Sequence, residues 1–133
     1  MNGIARENGW TEFTNHQCQY NLFYREEERE MLPYCRDKGI GVTCFSPLAR
    51  GFLAGDTGVR SEEDPSIKKQ YSDAFDLEAF VRIETIAKCR GTTASELAFA
   101  WVCVKEVICS PIVGPASVGK THRTGGRYNA GRI

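Results

Sequence analysis

The segment Gly39-Ile-Gly-Val-Thr-Cys-Phe-Ser-Pro-Leu-Ala-Arg-Gly-Phe-Leu-Ala-Gly55 constrains this chain most, because a short apolar strand, 41–45, runs straight into a Ser-Pro-Leu-x-x-Gly loop. A loop of that kind can hold a phosphate on its backbone N–H groups. A second apolar run at 107–113 also reads as a buried strand, and 13–20 is a weaker, more polar strand candidate.

Helical patterns separate the strands. Residues 25–38 place Met31, Leu32 and Cys35 on one face, with Pro33 either kinking the helix or marking its first turn, and Gly39 stopping it. Residues 77–90 put Leu77, Phe80, Ile83 and Ala87 on one stripe and end at Gly91. Thr93-Ala-Ser-Glu96 has capping-box spacing and opens a helix expected to turn Leu97, Trp101 and Val104 inward. Strand, helix, strand, long loop, helix, helix, strand is an order that argues a parallel sheet with right-handed crossovers. The loop at 55–76 is too long and polar for a plain connector and reads as mobile or functional.

With 133 residues and 41% apolar content the chain has the size and composition of one ordinary domain. Seventeen basic residues balance 17 acidic ones, so no net field favours nucleic acid or an anionic membrane, and the expected partners are small molecules or proteins. Six cysteines stand at irregular separations without a C-x-x-C pair, which suits buried reduced thiols in a cytoplasmic protein better than a metal centre. No signal core or membrane-length apolar run is present in the sequence.

The strings Asn8-Gly-Trp10, Gln17-Cys-Gln-Tyr-Asn-Leu22, Leu32-Pro-Tyr-Cys35, Phe45-Ser-Pro-Leu-Ala-Arg-Gly51, Ala98-Phe-Ala-Trp101 and Pro111-Ile-Val-Gly114 keep their order and spacing along the chain. Together they resemble the C-terminal half of an aldo-keto reductase, in the subgroup similar to potassium-channel β-subunits, over residues 3–118. The resemblance implies an α/β fold, a partial (β/α)8 TIM barrel made of about the last three strands with their helices. It also implies an NADP(H) cofactor and a carbonyl substrate. Gln17 would then meet the nicotinamide carboxamide, for which an amide offers both donor and acceptor. Phe45 would stack on the nicotinamide ring, Ser46, Pro47, Leu48 and Gly51 would form the loop around the pyrophosphate, Arg50 would add charge, and Gly114 would belong to the cofactor site. In such barrels the strand C-terminal ends carry the site.

No residue here matches the family's catalytic Asp, Tyr, Lys and His, so no catalytic residue is assigned; Tyr20, His16 and Lys38 sit in the wrong elements. The resemblance therefore implies a fragment that is inactive alone, with a domain at 1–118 and a Gly/Arg-rich tail at 119–133. An open half-barrel is expected to self-associate through unpaired strand edges and an uncovered apolar face. A non-catalytic binding or assembly module is the alternative. Gly114-Pro-Ala-Ser-Val-Gly-Lys-Thr121 fits the P-loop pattern, yet a P-loop must open a helix, and the glycine-rich 122–133 cannot pack one. His16, beside Gln17, can face a cofactor or be structural, His122 reads as a solvated tail residue, and no metal ligand is assigned.

Overall fold

In a computed structural model that describes residues 1–55, 70–71 and 73–114, strands β1 (Asn15–Gln19), β2 (Gly41–Phe45) and β3 (Ile108–Ile112) form one parallel sheet in that order. Helices α1 (Asn2–Glu7), α2 (Met31–Lys38), α3 (Ala74–Cys89) and α4 (Ala94–Cys103) and the 3-10 segments Glu26–Glu28 and Ala49–Ala54 complete the described part. Apart from α1 and the 3-10 segments, the expected strands and helices occur in the expected order, and the parallel pairing follows from the helices that intervene. The loop and tail readings at 56–69 and beyond 114 fall outside the described residues.

Side chains alternate across the sheet. Cys18, Tyr20, Val42, Cys44 and Ile108 pack with Leu32 and Cys35 of α2 and Val102 of α4 in one core, so α2 and α4 cover this face. At the strand C-terminal ends a second core joins Ala49, Phe52, Leu53, Tyr71 and Ala98, with Phe80 and Ile83 of α3 against it.

Several expectations need correction. The helix expected over 25–38 is a 3-10 turn followed by α2, so Pro33 lies in the first turn of α2, where its missing N–H costs nothing. Leu32 and Cys35 are buried there, whereas Met31 is exposed. Helix α3 starts three residues early, because the Asp73 side chain accepts the Asp76 N–H at 2.8 Å, and Leu77 faces solvent. The Thr93/Glu96 capping box opens α4 as expected. This helix buries the small residues Ala98 and Ala100 and Val102, leaving Val104 exposed.

Among the described residues β3 is an edge strand, and only Ile108 in it is buried. The bulge between Val42 and Thr43 in its pairing leaves Cys109 out of register. The sheet face that no described element covers is mostly polar, carrying Asn15, Gln17, Thr43 and Ser110, with Phe45 and Ile112 apolar at one end. The N-terminal α1, which has no apolar stripe to announce it, is held by Asn2, whose side chain bonds both the carbonyl and the N–H of Phe13 at 2.9 Å.

Candidate functional site

Strand pleating puts Gln17 and Phe45 on the same, uncovered face. Gln17 pairs with Thr43, and Phe45 lies two residues further along β2, beside Gln19. Gln17 is exposed and makes no side-chain hydrogen bond to a described residue, while Phe45 is half-buried. His16 falls on the opposite, helix-covered face, since adjacent strand residues point to opposite sides; it does not sit with Gln17. Tyr20 also points away, its hydroxyl donating to Glu28 at 2.5 Å, and Lys38 pairs with Asp37 at 2.6 Å on α2.

Beyond Phe45 the chain enters an unusual backbone. Ser46, Ala49 and Arg50 have φ of 55°, 49° and 56°, and Gly51 has φ 103°. Each non-glycine residue in the left-handed region costs roughly 1–2 kcal/mol, so the loop persists only because its surroundings determine it. Three features do so. Asn21, fully buried, donates from Nδ2 to the Ser46 carbonyl at 3.0 Å and accepts the N–H groups of Phe23 and Tyr24 at 2.9 Å each. Ala49 N–H donates to Ser46 O at 3.0 Å and Gly51 N–H to Leu48 O at 2.9 Å. Ala49, Phe52 and Leu53 are buried in the second core, where Phe52 stacks on Tyr71 with ring centroids 5.8 Å apart.

Within this loop Pro47 is fully buried and shapes the path from beneath, Leu48 is half-buried against the second core, and Arg50 is exposed. Because the Gly51 N–H is committed to Leu48, the distinctive contribution of Gly51 is a conformation closed to larger residues. Gly114 lies exposed two residues after β3, and a Cβ added there would meet nothing within 4 Å. The step from Leu48 at φ −101° to Ala49 at φ 49° joins a right-handed to a left-handed residue, the backbone pattern that gathers N–H groups into anion-holding concavities.

Sequence reasoning missed three residues that build this end of the sheet. Gln19 donates to the Tyr71 hydroxyl at 3.1 Å, and burial raises the pKa of Tyr71 from its ordinary value, keeping it a neutral phenol. Asn21 was visible in the Gln-x-x-x-Asn string, and an Asn two residues after a strand end is a signal for a turn stabilised by its side chain. Nothing local pointed to Tyr71, which reaches the site from a distant part of the chain.

Comparison with known proteins gives the family. The aldo/keto reductase family model matches residues 3–126. The chain is 36% identical over 124 residues to an aldo-keto reductase of Fusarium vanettenii, covering 89% of this chain and 33% of that protein. It is 37% identical over 118 residues to the aldo-keto reductase AMT2 of Alternaria alternata, covering 86% and 32%. It is also 36% identical over 108 residues to the versiconal hemiacetal acetate reductase of Aspergillus parasiticus, covering 76% and 32%. The chain thus spans about a third of the length of these relatives. With a parallel sheet of α/β order, a strained loop at the end of its central strand, and a family match over most of its length, the chain belongs to the aldo/keto reductase family.

Proposed function

We propose that this chain supplies part of the NADP(H) site of a reductase acting on aldehydes or ketones, as the C-terminal portion of a (β/α)8 barrel. The observation that carries the proposal is the juxtaposition of Gln17 and Phe45 on one uncovered sheet face with the left-handed loop 46–51 at the end of β2. Gln17 offers its unengaged amide to the nicotinamide carboxamide, and Phe45 offers an apolar ring face for stacking. On this reading the loop turns toward the pyrophosphate those backbone N–H groups that Ala49 and Gly51 do not spend within it, together with the Arg50 charge. Bound NADPH supplies the hydride; these residues bind and orient. None of them is a proton donor, so on this reading the chain alone is inactive.

The P-loop pattern at 114–121 lies within the stretch matched by the family model, which favours the reductase reading over nucleotide hydrolysis. Joining this chain to the N-terminal portion of a relative, and titrating with NADPH by nicotinamide fluorescence, tests the proposal. Gly51→Val should weaken binding at least tenfold, because φ 103° is closed to a β-branched residue. Lys120→Ala should leave binding within about twofold, a change worth roughly 0.4 kcal/mol. Equal affinity for Gly51→Val and the parent would overturn the site, and loss of ATP binding with Lys120→Ala would support the P-loop instead.

A further inference from the structure

The helix-covered side of β1 carries a cluster that the cofactor site does not use. His16 and Cys18, two apart on one strand, project to the same side, and Glu27 of the 3-10 segment reaches over them. Their ligand atoms, the imidazole nitrogen, the thiol sulfur and a carboxylate oxygen, all lie within 4.8 Å of one another. His16 Nε2 is buried without any hydrogen-bond partner, and the nearest anion, Glu27 Oε2, is 4.0 Å away, beyond hydrogen-bond reach. An orphaned buried nitrogen beside a thiol and a carboxylate calls for an occupant that all three can bind.

We propose that His16, Cys18 and Glu27 form a binding site for a zinc-class divalent cation, with solvent as fourth ligand. Zinc–ligand bonds of about 2.0–2.3 Å place tetrahedral ligand atoms roughly 3.4–3.6 Å apart, so the cluster closes by a contraction of about 1 Å, within reach of side-chain rotation. A thiolate and a carboxylate together neutralise the dication, and imidazole, thiolate and carboxylate are all accepted zinc donors. The His16 and Glu27 side chains keep 31% and 24% of their surface exposed, which leaves a route for the ion and its water. Burial, then the charge of Glu27, push the Cys18 thiol up to about 12. A cation would reverse that balance by binding the thiolate.

Cobalt(II) reports such a site directly, because it takes zinc's geometry and shows a thiolate charge-transfer band. The full chain, reduced and freed of metal by chelation, should bind one equivalent of Co²⁺ with that band and release it to Zn²⁺. Glu27→Gln and His16→Gln should each weaken Co²⁺ at least tenfold, and Cys18→Ser should abolish the band. Glu27 is half-buried but belongs to neither hydrophobic core, so its variant tests the site without disturbing them. Cys89→Ser and Cys109→Ser, at exposed thiols outside the cluster, should leave the titration unchanged. The proposal is overturned if the parent shows no thiolate band. It is equally overturned if the band survives Glu27→Gln and His16→Gln unchanged, or disappears with Cys89→Ser or Cys109→Ser.

Discussion

Replacing Asn21 with Ala should be among the most damaging single changes in the described part of this fold. The side chain makes three hydrogen bonds, two from the N–H groups of Phe23 and Tyr24 and one to the Ser46 carbonyl, and is fully buried. Each such bond contributes about 0.5–1.5 kcal/mol net, so Asn21→Ala should cost about 3 kcal/mol. That is a large share of the roughly 5–15 kcal/mol of a typical domain. With a urea slope of about 1–3 kcal/mol/M, the unfolding midpoint should fall by about 1–3 M. Asn21→Asp sharpens the test. It keeps an oxygen for the two N–H groups but turns the other oxygen toward the Ser46 carbonyl, where a donor is required, and buries a charge. The Asp variant should therefore be destabilised comparably despite its near-identical shape. Urea unfolding followed by far-ultraviolet dichroism measures both; an Asp variant within about 0.3 M of the parent, a difference below 1 kcal/mol on that slope, would refute the anchoring role of the amide.

Thr93→Ala should lower stability by about 1 kcal/mol by removing the N-cap of α4, and Thr93→Ser should restore most of it, as urea midpoints will show. Glu28 has its carboxyl pKa held below the ordinary 4.5, chiefly by the hydrogen bond from Arg25 and, against burial, by that from Tyr20. A carboxyl with a depressed folded value contributes stability in full above its unfolded value, and that contribution fades as pH falls through the folded one. Glu28→Gln should therefore flatten the loss of stability on acidification below about pH 4.5, and unchanged acid sensitivity would contradict it. Ellman's reagent at about pH 8 should label the exposed Cys89 and Cys109 first, with Cys18 and Cys44, pushed by burial up to about 12 and about 11, the slowest. Fast reaction of either buried thiol would be evidence against the core as described. Light scattering should find the isolated chain self-associated, because among the described residues β1 and β3 each have a free edge; a compact monomer would refute this.

The strands and the Thr93 cap were legible in the sequence because their signals are local: apolar runs for Gly41–Phe45 and Ile108–Ile112, and a Thr and a Glu three residues apart. What was misread depended on neighbours. Helical periodicity gave Val104 an inward position, yet the buried positions of α4 include Ala98 and Ala100, residues that a search for large apolar side chains passes over. Strand β3 looked buried because its side chains are apolar; its place at the sheet edge is a property of topology that composition does not carry. The candidate site was legible as a string of motifs, Gln17 and Phe45 through Gly51. The contacts that hold it, Asn21 to Ser46 and Gln19 to Tyr71, join residues 25 and 52 positions apart and become visible only in three dimensions.

One constraint ties the fold to the site. The two-residue period of β1 and β2 sends Cys18, Tyr20, Val42 and Cys44 into the core and leaves Gln17 and Phe45 on the uncovered face. A one-residue slip of β1 would exchange the faces, burying Gln17 without a partner and exposing Tyr20, whose ring stacks on Trp101 at 5.2 Å. Burying an unpaired amide costs roughly 1–3 kcal/mol on mutational scales, and removing an aromatic side chain from a core costs roughly 3–5 kcal/mol. Both penalties oppose the slip, so the packing that stabilises the sheet also fixes which side chains a ligand can meet. The same alternation places His16 with Cys18 and away from Gln17, which keeps the proposed cation cluster and the proposed cofactor surface on opposite sides of one strand. Substitutions at Glu27 should accordingly leave NADPH binding unaltered, and substitutions at Gln17 should leave Co²⁺ binding unaltered, unless they shift the register that both depend on.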